Sequence, residues 1–147
     1  MLQFGRPDPD LTYRLRPTAF GLVLREGLLA CVRVERGAQS YFDLPGGAVD
    51  GDETEAQALV REFVEETGLS VRAVQRITEA GQYFLKTTGE ALNNVGGYWT
   101  ADIVSENPEA KQEPDHTLTW LDPAVALSRL RHDAHAWAVA ACMRGAS

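Results

Sequence analysis

The chain has 147 residues, 44% apolar and 24% charged, which fits one globular domain with a sizeable core and excludes a disordered or low-complexity chain. Its 14 lysines and arginines stand against 21 aspartates and glutamates, a formal net charge of −7 with no basic run, so a partner of nucleic-acid polymers is not expected. A small anionic substrate stays compatible, because a few arginines and a metal ion can reverse the field locally.

Residues 1–16 are polar, carry Pro7 and Pro9, and read as an irregular arm. No apolar h-region opens the chain and no run reaches bilayer length, so a soluble cytoplasmic protein without membrane association is expected. TAFGLVL (Thr18 to Leu24) and LLACVRV (Leu28 to Val34) are β-prone and flank Arg25-Glu26-Gly27, which predicts a hairpin whose near-continuous apolar character implies burial on both faces. Cys31 and Cys142 share no ligand spacing and read as buried, reduced thiols. YFDLP (Tyr41 to Pro45) then runs into Gly46-Gly47, where the backbone can adopt unusual angles and a ligand can come close.

Asp52 or Thr54 caps a helix expected over about Thr54 to Thr67, with Thr54-Glu55-Ala56-Gln57 as a capping box and Gly68 as the stop. Ala56, Leu59, Val60, Phe63 and Val64 are expected inward, with Glu62, Glu65 and Glu66 roughly opposite. Strands follow over Val71 to Ile77, Glu79 to Leu85 and Val95 to Val104, with a loop from Lys86 to Asn94. Ser105 to Asp115 is a polar, acidic loop suited to completing a site. A short strand over His116 to Leu121 leads to a helix capped by Asp122 with Pro123 in its first turn, and a last helix covers about Asp133 to Met143. The order of elements predicts an α/β sandwich with a mixed sheet between helices, as one domain over residues 1–147.

The helix carries the chemistry. Glu62, Glu65 and Glu66 are spaced by three and four, so all three carboxylates share a face and repel one another. Oxygen-rich sites of this kind suit Mg²⁺, which bridges carboxylates to substrate phosphates and polarises a phosphoryl oxygen. A backbone carbonyl at Gly46 or Gly47 could add a ligand, and a carboxylate not used by metal could accept a proton from water. Standing alone, such a run would be a solvated acidic face.

It does not stand alone. The pattern G-x5-E-x7-R-E-U-x-E-E-x-G-U, with U a bulky apolar residue, is matched by Gly47, Glu53, Arg61, Glu62, Phe63, Glu65, Glu66, Gly68 and Leu69. This resembles the Nudix box, and the chain is similar to the Nudix hydrolases. Phe63 departs softly, since an aliphatic is commoner there. The resemblance implies a Nudix-like α/β/α sandwich and hydrolysis of a nucleoside diphosphate linked to another group, with Mg²⁺ or Mn²⁺. It makes Glu62, Glu65 and Glu66 the metal ligands, with the carbonyl of Gly46 or Gly47 beside them, and gives Glu53 and Arg61 structural support. Among the loop residues Glu109, Glu113 and Asp115, Glu113 is the candidate further ligand or base.

The subfamily markers implied by the resemblance are mostly negative. Leu85 stands where ADP-ribose enzymes carry proline, Lys86 and Thr87 where dinucleoside polyphosphate enzymes carry tyrosine, and LLACVRV does not match the coenzyme A signature. A nucleoside triphosphate pyrophosphohydrolase, releasing a monophosphate and pyrophosphate, is therefore favoured over hydrolases of ADP-ribose, nucleotide sugars or dinucleotides, and over a non-catalytic nucleotide-binding module. A homodimer is compatible. Arg14, Arg16 and Arg33 are candidates for substrate phosphates and His116 for phosphate contact or proton transfer. Tyr83 and Phe84 are candidates for base stacking, Trp99, Trp120 and Trp137 read mostly as core, and His132 and His135 read as capping or surface residues.

Overall fold

A computed structural model describes residues 1–145. The strands are β1 (Leu2–Phe4), β2 (Arg14–Leu22), β3 (Leu24–Arg25), β4 (Leu28–Arg36), β5 (Gln39–Asp43), β6 (Gly46–Ala48), β7 (Leu69–Leu85), β8 (Ala91–Glu106) and β9 (His116–Leu121). The helices are α1 (Glu55–Thr67), α2 (Pro123–Arg129) and α3 (Asp133–Gly145), with a short 3₁₀ turn over Pro108–Ala110. Among the described residues, no helix is long and apolar enough to cross a membrane.

One sheet runs β1-β7-β8-β2-β6 and is mixed: β1 lies parallel to β7, β2 parallel to β8, and the β7–β8 and β2–β6 pairs are antiparallel. The second sheet is antiparallel, with β4 pairing β3, β5 and β9. Period-two alternation along the strands sends side chains to two cores. Phe20, Leu22, Cys31 and Tyr98 pack with Ala126, Ala134, Ala138 and Val139 of α2 and α3. Ala19, Val23, Ala30, Val71 and Ala101 pack with Leu59 and Phe63 of α1. The mixed sheet between helix layers is the expected α/β/α arrangement.

The expected hairpin of Thr18–Leu24 with Leu28–Val34 is corrected. Pairing is confined to Leu24–Arg25 with Leu28–Leu29, around a turn in which Glu26 and Gly27 have φ of 53° and 79°. The Val23 carbonyl accepts from the Ala30 amide at 2.9 Å, and the chain passes there from one sheet to the other. The apolar run is continuous because both sheets lie between helices. The arm is corrected too, since Leu2–Phe4 adds a parallel edge strand to β7. The two strands expected between 71 and 85 are one, β7, interrupted by register shifts against β8.

Helix α1 begins as its sequence predicts. Thr54 accepts from the Gln57 amide, Gln57 reaches back to the Thr54 amide, and Gly68 closes the helix at φ 77°. Its inward face differs from expectation: Ala58, Leu59, Phe63, Glu66 and Thr67 are buried, whereas Ala56, Val60 and Val64 are half-buried. Glu66 therefore leaves the solvent side and turns inward. A methyl placed on Gly21 would lie 2.4 Å from Phe63 Cε2 and 2.9 Å from Leu59 Cδ1, so the missing side chain of Gly21 is the room that Phe63 fills. We expect Gly21→Ala to destabilise the fold by about 1–3 kcal/mol in chemical denaturation through overpacking. Phe63→Leu should cost on the order of 1 kcal/mol, and the double variant should cost less than the sum because the two sites are in contact. Strict additivity would show that the two positions are not complementary.

Candidate active site

The end of α1, the glycine strand β6, parts of β4 and β5, the β7–β8 tip and the start of α3 surround a cleft of about 560 Å³. Gly46 and Gly47 set its floor. A Cβ at Gly46, whose φ is 141°, would lie 2.2 Å from the Ala19 carbonyl oxygen. A Cβ at Gly47 would lie 2.9 Å from Glu62 Cδ, so the absence of a side chain lets the Glu62 carboxylate lie against the backbone. The Gly46 amide donates to Glu66 Oε1 at 3.0 Å. Burial pushes the Glu66 carboxyl well above its ordinary range; the Gly46 bond opposes this, and Glu62, Asp43 and Glu113 add to it. Burial likewise raises Glu62, with Arg61 opposing and Glu65 reinforcing.

Arg61 organises the acidic groups. Its Nε donates to Glu53 Oε2 at 2.7 Å and its Nη2 to Glu53 Oε1 at 2.8 Å, a bidentate pair, while Nη2 also donates to the Ala48 carbonyl at 3.0 Å. Its Nη1 donates to Glu62 Oε1 at 3.0 Å and to Glu65 Oε2 at 3.3 Å. Glu62 and Glu66 line the cleft; Glu65 is held by Arg61 beside it and is not part of the lining. The Glu65 carbonyl accepts from the Gln112 and Glu113 amides, which ties the acidic loop to α1 and brings Glu113 to the cleft. His116 is buried there, with Nδ1 2.7 Å from Asp115 Oδ1 and Nε2 3.5 Å from Glu66 Oε2. Ligand atoms of Glu113, Asp115 and His116 all fall within 4.8 Å of one another. These oxygen-rich groups, with half-buried Glu62 and buried Glu66 repelling one another, suit a hard divalent cation.

Positive charge faces them. Arg16, Arg36, Lys86 and Arg131 line the cleft. Arg36 pairs with Asp115 at 3.1 Å, Lys86 with Glu90 at 3.6 Å, and Arg131 grips Asp43 with Nη2 to Oδ2 at 2.9 Å. Arg16 differs, because its Nε donates to the uncharged Asn94 Oδ1 at 2.8 Å. Arg33, a candidate from sequence, points elsewhere and pairs with Glu35 on the exposed side of β4. Alternation accounts for this, since Val34 and Arg36 occupy the cleft face of that strand. Arg14 also lies outside, paired with Glu90.

Phe84 lines the cleft, as the stacking candidates allowed, whereas Tyr83 packs edge-on against Tyr13. The three tryptophans lie outside the lining; Trp99 and Trp120 pack against the α1 core, with Trp99 donating to Glu55 at 2.8 Å, whereas Trp137 is exposed, which corrects the reading of it as core. His132 and His135 correct the surface expectation, since both are buried, with Leu44 N–H donating to His135 Nδ1 at 3.2 Å. Sequence reasoning also missed Asp43, Tyr41 and Arg131; the Arg131 guanidinium lies 3.8 Å from the Tyr41 ring centroid. The RHDAH segment carried the signal, but its burial depends on the fit of α3 against β2.

A NUDIX domain family model matches residues 14–141. No curated protein matches the chain. Among solved structures, a NUDIX hydrolase from Nitrosomonas europaea is 17% identical with a TM-score of 0.75, over 90% of each chain. The MutT protein from Methanosarcina mazei Go1 is 19% identical with a TM-score of 0.70, over 94% of this chain and 99% of that one. An ADP-ribose pyrophosphatase from Streptococcus suis 89-1591 is 17% identical with a TM-score of 0.63, over 89% of this chain and 91% of that one. These likenesses show the fold. The family match shows that the chain belongs to the NUDIX family, and it is an enzyme, a hydrolase of phosphorus anhydride bonds.

The Arg61 fork has a consequence for acid stability. Its hydrogen bonds, with the Asp50 amide second, lower Glu53 from 4.5 to about 2. The stabilisation is present above the ordinary glutamate value and is lost as pH falls through the folded-state value. Thermal melts should therefore place wild type above Glu53→Gln at pH 6, with the gap closing between pH 4.5 and about 2. A gap that does not change with pH would contradict the pairing.

Proposed function

We propose that the protein hydrolyses a nucleoside diphosphate linked to another group, and that nucleoside triphosphates, cleaved to a monophosphate and pyrophosphate, are the favoured substrates. The observation that carries this reading is the pair of mutually repelling carboxylates, half-buried Glu62 and buried Glu66, facing the same cleft as four basic side chains. Leu85, Lys86 and Thr87 line that cleft at the positions where the family resemblance puts the proline and tyrosine of other substrate classes. We include all of residues 1–147 in one Nudix hydrolase domain. The free thiols Cys31 and Cys142 support a reducing, cytoplasmic setting.

In this reading Glu62 and Glu66 hold Mg²⁺ or Mn²⁺, with Glu65 as the third carboxylate and the carbonyl of Gly46 or Gly47 as a backbone ligand. The bound cation supplies charge neutralisation and polarisation of phosphoryl oxygens. Arg61 and Glu53 hold the carboxylates in place. Arg16 binds a phosphate, because its charge has an amide rather than a carboxylate as hydrogen-bond partner. A water oxygen attacks the α- or β-phosphorus, the bond to the oxygen bridging them breaks, the leaving pyrophosphate (attack at α) or nucleoside monophosphate (attack at β) carries off the electron pair, and Glu113 accepts the water proton. His116, beside Glu66 and Asp115, orients that carboxylate.

A substrate panel of nucleoside triphosphates, ADP-ribose and UDP-sugars, read as released phosphate or pyrophosphate with Mg²⁺ and Mn²⁺, tests the reaction. Glu66→Gln should lower metal-dependent turnover by more than about 100-fold while the protein stays folded; full activity would overturn the site. Gly47→Ala should displace the Glu62 carboxylate and raise the Mg²⁺ concentration for half-maximal rate by roughly 10- to 100-fold. An unchanged metal dependence would show that Glu62 is not a ligand.

A further inference from the structure

We propose that this cleft reads the nucleobase, and that His132 Nε2 is the atom that reads it. The inference rests on the nucleotide-hydrolase reading above and specifies which wall of the cleft takes the base.

His132 is 6% exposed and lines the cleft, and its Nε2 is a buried polar atom with no hydrogen-bond partner among the described residues. Buried polar atoms are almost always paired in native proteins, and an orphan is costly. The imidazole otherwise behaves as an aromatic ring. It packs edge-on against Phe84 at 4.9 Å and against His135 at 5.3 Å between centroids. A phenyl ring would make those contacts without the desolvated nitrogen. The nitrogen is thus unexplained by packing, and the ring that carries it lines a cavity of about 560 Å³, large enough for a ligand.

Its neighbours say what kind of ligand. Arg16 and Glu62 line the same cleft, the Arg16 and Arg131 guanidiniums lie 5.8 and 5.6 Å from the Phe84 ring centroid, and Phe84 touches His132. A carboxylate platform, a cation, an aromatic face and a lone polar atom form the sequence of surfaces that metal-bound phosphates, an inner phosphate and a base would meet. Burial and the charges of Arg131 and Arg16 lower the imidazole to about 3, so it is neutral under working conditions. Each nitrogen of a neutral imidazole offers one directional hydrogen bond, as donor or acceptor, and no charge. It would compete poorly for phosphate against the guanidiniums nearby. The amine, carbonyl and ring-nitrogen edge of a base, with its face on Phe84, matches it.

The test uses the full chain with Mg²⁺ and five substrates: ATP, GTP, CTP, UTP and ribose 5-triphosphate, which lacks a base. His132→Phe keeps the ring and removes the nitrogen. The ratio of kcat/KM for the preferred nucleotide to that for ribose 5-triphosphate should fall roughly 10- to 100-fold, mainly through KM, and the ranking of the four bases should flatten. A variant that keeps both the ratio and the ranking overturns the proposal. In case the variant folds poorly, ¹⁵N NMR of wild-type histidines gives an independent reading. The His132 Nε2 resonance should move on adding the preferred nucleoside monophosphate and stay in place with ribose 5-phosphate. Equal movement with both, or with neither, overturns it. If wild type cleaves no nucleotide, the activity reading fails separately, and the monophosphate titration still decides the base site.

Discussion

The guanidinium of Arg61 is the constraint on which the catalytic architecture depends. Three carboxylates on consecutive turns of one helix repel, and burying them compounds the cost. Arg61 answers both problems with one rigid fork, giving two bonds to Glu53, one each to Glu62 and Glu65, and one to the Ala48 carbonyl. The last bond joins the helix to the glycine strand, so helix, loop and cleft floor are positioned together. A lysine could not do this, since a single ammonium lacks the fork that engages Glu53 in two places. Glu66 escapes the fork. The Gly46 amide holds it instead, on the side of the helix that faces the cleft.

A net charge of −7 does not prevent binding of an anionic substrate, because the charges are segregated. The cleft collects four basic side chains opposite the acidic helix. Three are anchored by carboxylates, which fixes their geometry and reduces their pull on phosphate. Arg16 is anchored by Asn94, which fixes its geometry and leaves its charge in force. A divalent cation would neutralise Glu62 and Glu66 and extend the positive field along the cleft. The wall at Phe84 and His132 carries no acidic group, and the Arg131 and Arg16 guanidiniums lie 5.6 and 5.8 Å from the Phe84 ring centroid.

Much of the acidic helix was legible because its determinants are local. The capping box at Thr54 and Gln57, the Gly68 stop and the spacing of the glutamates depend on neighbours within a few residues, and each appears as expected. The division of labour among the glutamates was not legible. Spacing puts them on one face, but only the approach of Gly47 and the Gly46 amide decides that Glu66 turns inward and Glu65 stays with Arg61. The hairpin failed for a similar reason. Its two strands are β-prone and flank a turn, so they read as partners, yet the chain crosses between sheets at Val23, and both sheets pack against helices. Arg33 and Arg36 differ only in strand parity, and within the RHDAH segment His135 is buried where α3 packs against Phe20 and Tyr98, while Arg131 and Asp133 stay exposed. These are long-range facts, and periodicity does not carry them.

The most direct test of the central claim is the anomalous difference density of crystals grown with Mn²⁺. Density is expected in the cleft, with Glu62 and Glu66 carboxylate oxygens about 2.1 Å from the ion. Density that touches neither glutamate, or none at millimolar Mn²⁺, would contradict the assignment of this helix as the metal platform.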